Sequence, residues 1–214
     1  MQISTENKWK KLLKNFNTPS FTKKYLIEPI ILSKNFTEPI LDAGCGTGYF
    51  SNLLASKGKM VISVDRNLDK KLLKSCKAIK ADLANVKLKN LLVGDVLLIN
   101  ILSCVDQEEK RLEILKNLKS IKNKDAKIYV FNVAEDVVNK EFKSSVIKIE
   151  KITKNKVNMT IKQIDGNLLN FDDNIIYEKS FESQCKKANL NILQKKYLKY
   201  KKEKNAIYAM YILI

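Results

Sequence analysis

The chain has 214 residues, 45% hydrophobic and 29% charged, with a formal net charge of +17. That length suits one domain able to bury its own core, and no apolar run approaches the ~20 residues of a bilayer span. The absence of histidine removes the commonest general base and metal ligand. Four scattered cysteines (Cys45, Cys76, Cys104 and Cys185) form no CxxC pair, which argues against a zinc site and a disulfide framework and suits a reducing, cytoplasmic compartment.

The N-terminal stretch 1–17 is charged and lacks the apolar centre of a signal peptide. A short helix is expected over Lys8–Asn15, and Thr18-Pro19 gives a capping hydroxyl and a first-position proline for a helix over Ser20–Leu32. Pro39–Ala43 is a short apolar run stopped by glycines, a buried strand, and Tyr49–Ser56 follows with helical spacing up to Gly58. Met60–Val64 is a second strand, with a helix near Leu68–Ser75, and a third strand falls at Ala78–Ala81. The fourth and most hydrophobic strand is Asp95–Leu102, followed by a charged helix over Glu108–Leu118 and a fifth strand over Lys127–Val133. Strands alternating with helices predict a mostly parallel sheet covered on both faces.

The last third changes rhythm. Val157–Ile164 alternates polar and apolar residues, Asp165-Gly166 signals a hairpin turn, and Leu168–Tyr177 returns. A helix near Phe181–Ala188 and two strands, Asn191–Tyr197 and Ala206–Leu213, close the chain as an antiparallel hairpin on the sheet edge.

The densest signal is the run Asp42-Ala43-Gly44-Cys45-Gly46-Thr47-Gly48, where a strand turns through glycines into a helix. Glycines reach positive φ and let a ligand approach bare backbone, so amides exposed at the helix N-terminus are expected to face an anionic or nucleoside ligand. The dinucleotide fingerprint GxGxxG is not met, because Tyr49 stands three residues after Gly46. The spacing present, D-x-G-x-G-x-G, resembles the first motif of class I S-adenosylmethionine-dependent methyltransferases. Asp65, closing a strand about 20 residues on, resembles the acid that accepts the ribose hydroxyls, with Arg66 beside the adenine face. Lys80-Ala81-Asp82-Leu83 resembles the third motif, in which Asp82 would bind the adenine amino group and the Leu83 amide the ring. Asp95–Asn100 resembles the fourth motif, which puts Asn100 near the methionine end of the cofactor.

The resemblance implies a Rossmann-like, seven-stranded α/β sheet with a C-terminal antiparallel hairpin. It implies S-adenosyl-L-methionine as cofactor, held by Asp42, Gly44, Cys45, Gly46, Gly48, Asp65, Arg66, Asp82, Leu83 and Asn100. Residues 1–38 would form a helical cap belonging to the same domain, 39–214 the cofactor-binding body, with an inserted hairpin near 157–177. One departure is Ile121-Lys122-Asn123-Lys124-Asp125, where relatives often carry proline and glycine.

Methyl transfer needs an acceptor held in line with the donor, and positioning alone can lower a barrier by about 7–11 kcal/mol. No catalytic base is assigned from the sequence, and no metal. The run after Asn100, Ile101-Leu102-Ser103, lacks the prolines and aromatic of enzymes that methylate amino groups of adenine or glutamine. Cys104 lacks the proline partner of cytosine-C5 enzymes and reads as a buried residue. The expected acceptor is a small molecule. The alternatives are an RNA methyltransferase using a lysine-rich surface such as Lys195–Lys202, or a non-catalytic cofactor-binding subunit. Against nucleic acid, only Arg66 and Arg111 among the 40 basic residues are arginine, the residue suited to bidentate phosphate recognition. The sequence sets no oligomeric state.

Overall fold

The computed structural model describes residues 19–85, 88, 90–139, 142–153 and 156–214; the helix expected over Lys8–Asn15 and the capping Thr18 lie outside the described residues. Strands β1 (Ile40–Ala43), β2 (Val61–Asp65), β3 (Lys77–Lys80), β4 (Val96–Ile99) and β5 (Ile128–Val133) are followed late in the chain by β9 (Ile192–Leu198) and β10 (Tyr208–Leu213). Together they make one seven-stranded sheet in the order β3-β2-β1-β4-β5-β10-β9. The first five strands pair in parallel, and β10 runs antiparallel to both β5 and β9. A second, antiparallel sheet holds β6 (Ile147–Thr153), β7 (Lys156–Lys162) and β8 (Leu168–Asn174).

Alternation along the strands divides the core between the two faces of the large sheet. Leu41, Ala43 and Leu98 face helices α3 (Glu108–Ile121) and α4 (Glu178–Lys187), meeting Leu115, Leu118 and Phe181. Ile40, Leu97, Ile99 and Phe131 face the other way. There they meet α1 (Glu28–Leu32), α2 (Tyr49–Ala55) and the apolar side of β7, with Ile31, Phe50 and Met159 among the buried partners.

Several local expectations are corrected. The helix over Ser20–Leu32 contains a widened π turn at Lys23–Ile27, where the Glu28 amide reaches back to the Lys23 carbonyl. Pro29 explains it, since proline lacks an N–H and its ring crowds the carbonyl four residues back. The helix expected near Leu68–Ser75 is only a 3-10 turn, Lys70–Leu72. The Asn52 side chain takes the Leu72 carbonyl and the Lys74 amide, both at 2.7 Å, groups that a helix would use itself. The fourth strand ends at Ile99 rather than Leu102, because Asn100 has φ 56° and Leu102–Cys104 forms another 3-10 turn. The inserted hairpin is the β7–β8 pair, and sequence analysis missed its third strand, β6. The alternation Ile147-Lys148-Ile149-Glu150 carried that signal.

Candidate functional site

In a sheet of this order the strand sequence reverses between β1 and β4, and a crevice opens outside the carboxyl ends of the strands at that point. A cleft of about 1180 Å³, measured out to its open mouth, lies there. One wall is the glycine turn after β1 with the ends of β2 and β3. The opposite wall is built from the π turn, β7, β8 and β10.

The glycine turn holds positive φ at Gly44, Gly46 and Gly48. A Cβ on Gly44 would stand 2.2 Å from Ile101 Cδ1, and one on Gly48 would stand 2.3 Å from Leu73 Cδ2. The turn can therefore pack this closely only with glycine at these places. Its amides are less bare than the sequence led us to expect. Gly44 and Cys45 both donate to the Val64 carbonyl, at 2.7 and 3.1 Å, and Gly48 donates to Cys45 at 2.9 Å. The Gly46 amide donates to Asp65 Oδ2 at 3.0 Å. The turn offers a ligand its shape and proximity rather than a row of unused donors.

Asp65 ends β2, and its second oxygen accepts the Asn67 amide at 2.7 Å. Each carboxylate oxygen keeps a further lone pair for a ligand. Asp82 lines the same wall, with Oδ1 accepting the Ala84 amide at 2.9 Å, while buried Leu83 closes the slot and Arg66 stands exposed at the rim. Gly44, Cys45, Gly46, Asp65, Arg66, Asp82, Leu83 and Asn100 therefore share one cleft. Asp42 is placed differently. It is buried beneath the turn, where Ser51 Oγ donates to it at 2.6 Å and Ser63 Oγ donates to Ser51 at 2.7 Å. Burial pushes its carboxyl up to about 6, against the pull of Ser51 and Lys23. Asp42 supports the turn rather than lining the cleft, and Gly48 likewise lies behind it as the residue that starts α2.

Asn100 sits where β4 ends. Its Nδ2 donates to the Tyr208 hydroxyl at 3.2 Å, while its Oδ1 is buried with no hydrogen-bond partner. A buried acceptor left unsatisfied costs about 1–3 kcal/mol, and Asn100 borders the cleft.

The opposite wall holds residues that sequence analysis did not single out. Ile161, Leu169 and Phe171 supply apolar surface from β7 and β8, Lys23 comes from the π turn and Tyr208 from β10. Buried Asp173, on β8, faces the same space. Its carboxyl is pushed up to about 7, chiefly by burial and further by Asp172, with Ser103, the Asn174 amide and Lys23 opposing. Burial lowers the Lys23 amine, opposed by Asp42, Cys104 and Asp173. Cys104, expected to be buried, is half-buried and lines the cleft, with Sγ 2.9 Å from the Asn100 carbonyl and 4.0 Å from Asp173 Oδ1. Burial and the nearby Asp173 push its thiol well up, so it stays protonated rather than nucleophilic. Among the described residues no cluster of three or more His, Cys, Asp or Glu is placed to hold a metal ion.

No family model matches the chain, and no curated protein matches it in sequence. Solved structures match it in fold. An S-adenosylmethionine-dependent methyltransferase from Clostridium acetobutylicum ATCC 824 superposes with a TM-score of 0.65 at 15% identity, over 97% of this chain and 96% of that one. The CcbJ methyltransferase from Streptomyces caelestis gives 0.62 at 13% identity, over 92% and 90%. The glycopeptide N-methyltransferase MtfA, solved with S-adenosyl-L-methionine, gives 0.63 at 9% identity, over 93% and 95%. The chain has the class I methyltransferase fold, along nearly its whole length.

Proposed function

We propose that this chain is an S-adenosyl-L-methionine-dependent methyltransferase acting on a small-molecule acceptor. The observation that carries it is the convergence of the glycine turn, two strand-end acids and the unsatisfied Asn100 Oδ1 on one cleft at the carboxyl ends of the strands. These groups fit the cofactor's parts. Asp65 would accept the ribose hydroxyls, Asp82 and the Leu83 amide would bind the adenine, and Arg66 would cover it at the rim. The turn from Gly44 to Gly46 would lie against the cofactor's backbone-hugging face, and Asn100 Oδ1 would accept an N–H of its α-ammonium. When bound, the cofactor supplies an electrophilic methyl group on a sulfonium.

This chain's own part is binding, orientation and exclusion of water. Asp42, through Ser51, holds the end of β1 and the start of α2 together, so the turn keeps its shape. The β7–β8 wall closes the acceptor side with apolar surface. The solved neighbours are methyltransferases, and one is named for N-methylation of a glycopeptide. Residues 1–38 as a cap on one domain, and a cytoplasmic location, belong to the same proposal; among the described residues no helix is long and apolar enough to cross a membrane.

The test is calorimetric and thermal. S-adenosylmethionine or its demethylated product at ~100 times Kd should stabilise the protein by about 2.7 kcal/mol. For a domain of this size that is a rise in Tm of roughly 5–11 °C. A Tm indifferent to millimolar cofactor would sink the proposal.

A further inference from the structure

We propose that Asp173 is the acceptor-side base of this cleft and that it holds, by its N–H, the neutral amine nitrogen of an acceptor with an apolar body. The inference rests on the methyltransferase reading above and adds what the acceptor is.

Position comes first. Of the acids suited to the cofactor, Asp65 ends β2 and Asp82 follows β3, on one side of β1 in the sheet order. Asp173 belongs to the separate three-stranded sheet and faces the cleft from across it. A single thiol, Cys104, links it to the end of β4, lying 4.0 Å from Asp173 Oδ1 and 2.9 Å from the Asn100 carbonyl. Ile161, Leu169 and Phe171 give its wall an apolar stretch, beside the polar groups of Lys23, Cys104 and Tyr208. An acceptor body would meet hydrocarbon, and its reacting atom would meet a carboxylate.

Chemistry then selects nitrogen. An alcohol must lose a tightly held proton to become a good nucleophile, and a carboxylate is far too weak a base to take it. A neutral amine already carries its lone pair and needs only to be held with that pair turned towards the methyl group. The step balances. The nitrogen lone pair forms the new C–N bond, the C–S bond of the sulfonium donor breaks, and its electron pair stays on sulfur as a neutral thioether. The proton shed by the new ammonium passes to the Asp173 carboxylate, which becomes a neutral carboxyl and later loses the proton to water. A carboxyl pushed up to about 7 is partly ionised near neutral pH, so the ionised form can take the proton and pass it on to water. A carboxylate-bearing group at the same place would be repelled.

The charged and titratable groups facing Asp173 are Lys23 from the π turn, Asp172 on its own strand, Cys104 and Tyr208. Lys23 favours the ionised form and Asp172 opposes it.

The experiment uses the full chain saturated with the demethylated product, S-adenosylhomocysteine. Benzylamine, benzyl alcohol and phenylacetate are titrated calorimetrically from pH 5.5 to 8.5, on the wild type, Asp173→Asn and Asp172→Asn. Benzylamine is expected to bind best, to tighten as pH rises through about 7, and to lose roughly 10-fold or more in affinity with Asp173→Asn. Asp172→Asn should keep the pH dependence. Failure of the product itself to bind the wild type overturns the methyltransferase reading, and this inference with it. Product binding with no benzylamine binding overturns this inference alone. The same holds if the alcohol or the carboxylate binds tighter, or if Asp173→Asn retains both affinity and pH dependence. Should Asp173→Asn fail to fold, the steepness of the wild-type curve decides. Loss of benzylamine's own proton supplies about tenfold tightening per pH unit throughout the range, so a rise steeper than that below about 7 supports the inference and a uniform, roughly tenfold rise overturns it.

Discussion

The two walls of the cleft are built by different means. The wall formed by β1, β2 and β3 is local. Its turn runs straight out of β1 into α2, and Asp65 is tied to it by the Gly46 amide only 19 positions away. The facing wall is assembled over long distances, and the Thr22–Tyr208 hydrogen bond that closes it at 3.1 Å joins residues 186 positions apart. A nucleoside common to many enzymes can be held by a contiguous stretch of chain. An acceptor peculiar to one enzyme is met by residues that only the finished fold brings together.

Asp65→Ala is the substitution that should separate the walls most sharply. It removes a charged acceptor for two ribose hydroxyls, each such bond contributing roughly 1.5–3 kcal/mol. It also frees the Gly46 and Asn67 amides. Cofactor affinity measured by calorimetry should fall about 100-fold or more. Retention of wild-type affinity would mean that the local wall does not bind the nucleoside.

A pair of glycine substitutions compares the walls by packing. Gly48→Ala places a Cβ at φ 78° and within 2.3 Å of Leu73 Cδ2, whereas Gly166→Ala, at φ 87° in the turn before β8, meets open space. Backbone strain of about 1–2 kcal/mol is common to both, and overpacking adds roughly 1–3 kcal/mol at Gly48 alone. Denaturant unfolding should therefore show Gly48→Ala to be the costlier by ~1 kcal/mol or more. Equal losses would show that Leu73 moves aside freely.

The unequal legibility of the two walls has the same origin. Asp42 to Gly48, Asp65, Asp82 and Asn100 were visible because strand, turn and acid follow one another at fixed spacing. Lys23, Asp173 and Tyr208 carry no local signature; each is an ordinary residue in its own element until the second sheet folds over the first. The sheet itself was readable from its apolar runs. The helix expected near Leu68–Ser75 gives way to a 3-10 turn because Asn52, on a different element, takes its backbone groups. Strand β6 has only the short alternation Ile147-Lys148-Ile149-Glu150 as a local signal, and its pairing of Ile147 with Ile161 is set by the fold.

Each wall also buries one acid with a raised carboxyl, Asp42 at about 6 and Asp173 at about 7, both mainly through burial. Unfolded aspartate titrates near 3.9. Between that value and the raised one the folded chain binds more protons than the unfolded chain, so stability falls as pH rises through this window. Above it the penalty is complete. Asp42→Asn keeps an oxygen for Ser51 and removes the charge. It should raise the Tm of the cofactor-free protein at pH 8 by a few degrees, equivalent to about 1–2 kcal/mol, and do little at pH 4. Asp173→Asn should behave in the same way over a window extending to about 7. A Tm difference independent of pH would mean that neither carboxyl is held up by its burial.

The smallest effect is expected outside both walls, on the lysines that first suggested nucleic acid. Lys195 and Lys196 lie on β9, the edge strand of the large sheet, with Lys195 paired to Glu178. Lysine along an exposed edge discourages pairing with another chain's strand, which gives these charges a purpose without any polyanion. Replacing both by alanine should cost no more than about 1 kcal/mol, the range of exposed ion pairs. It should leave cofactor affinity unchanged and increase light scattering at high protein concentration. A variant that stays monodisperse but loses a salt-sensitive affinity for RNA would move the purpose of this strand from guarding an edge to holding a substrate. The long-range wall would then extend beyond the cleft.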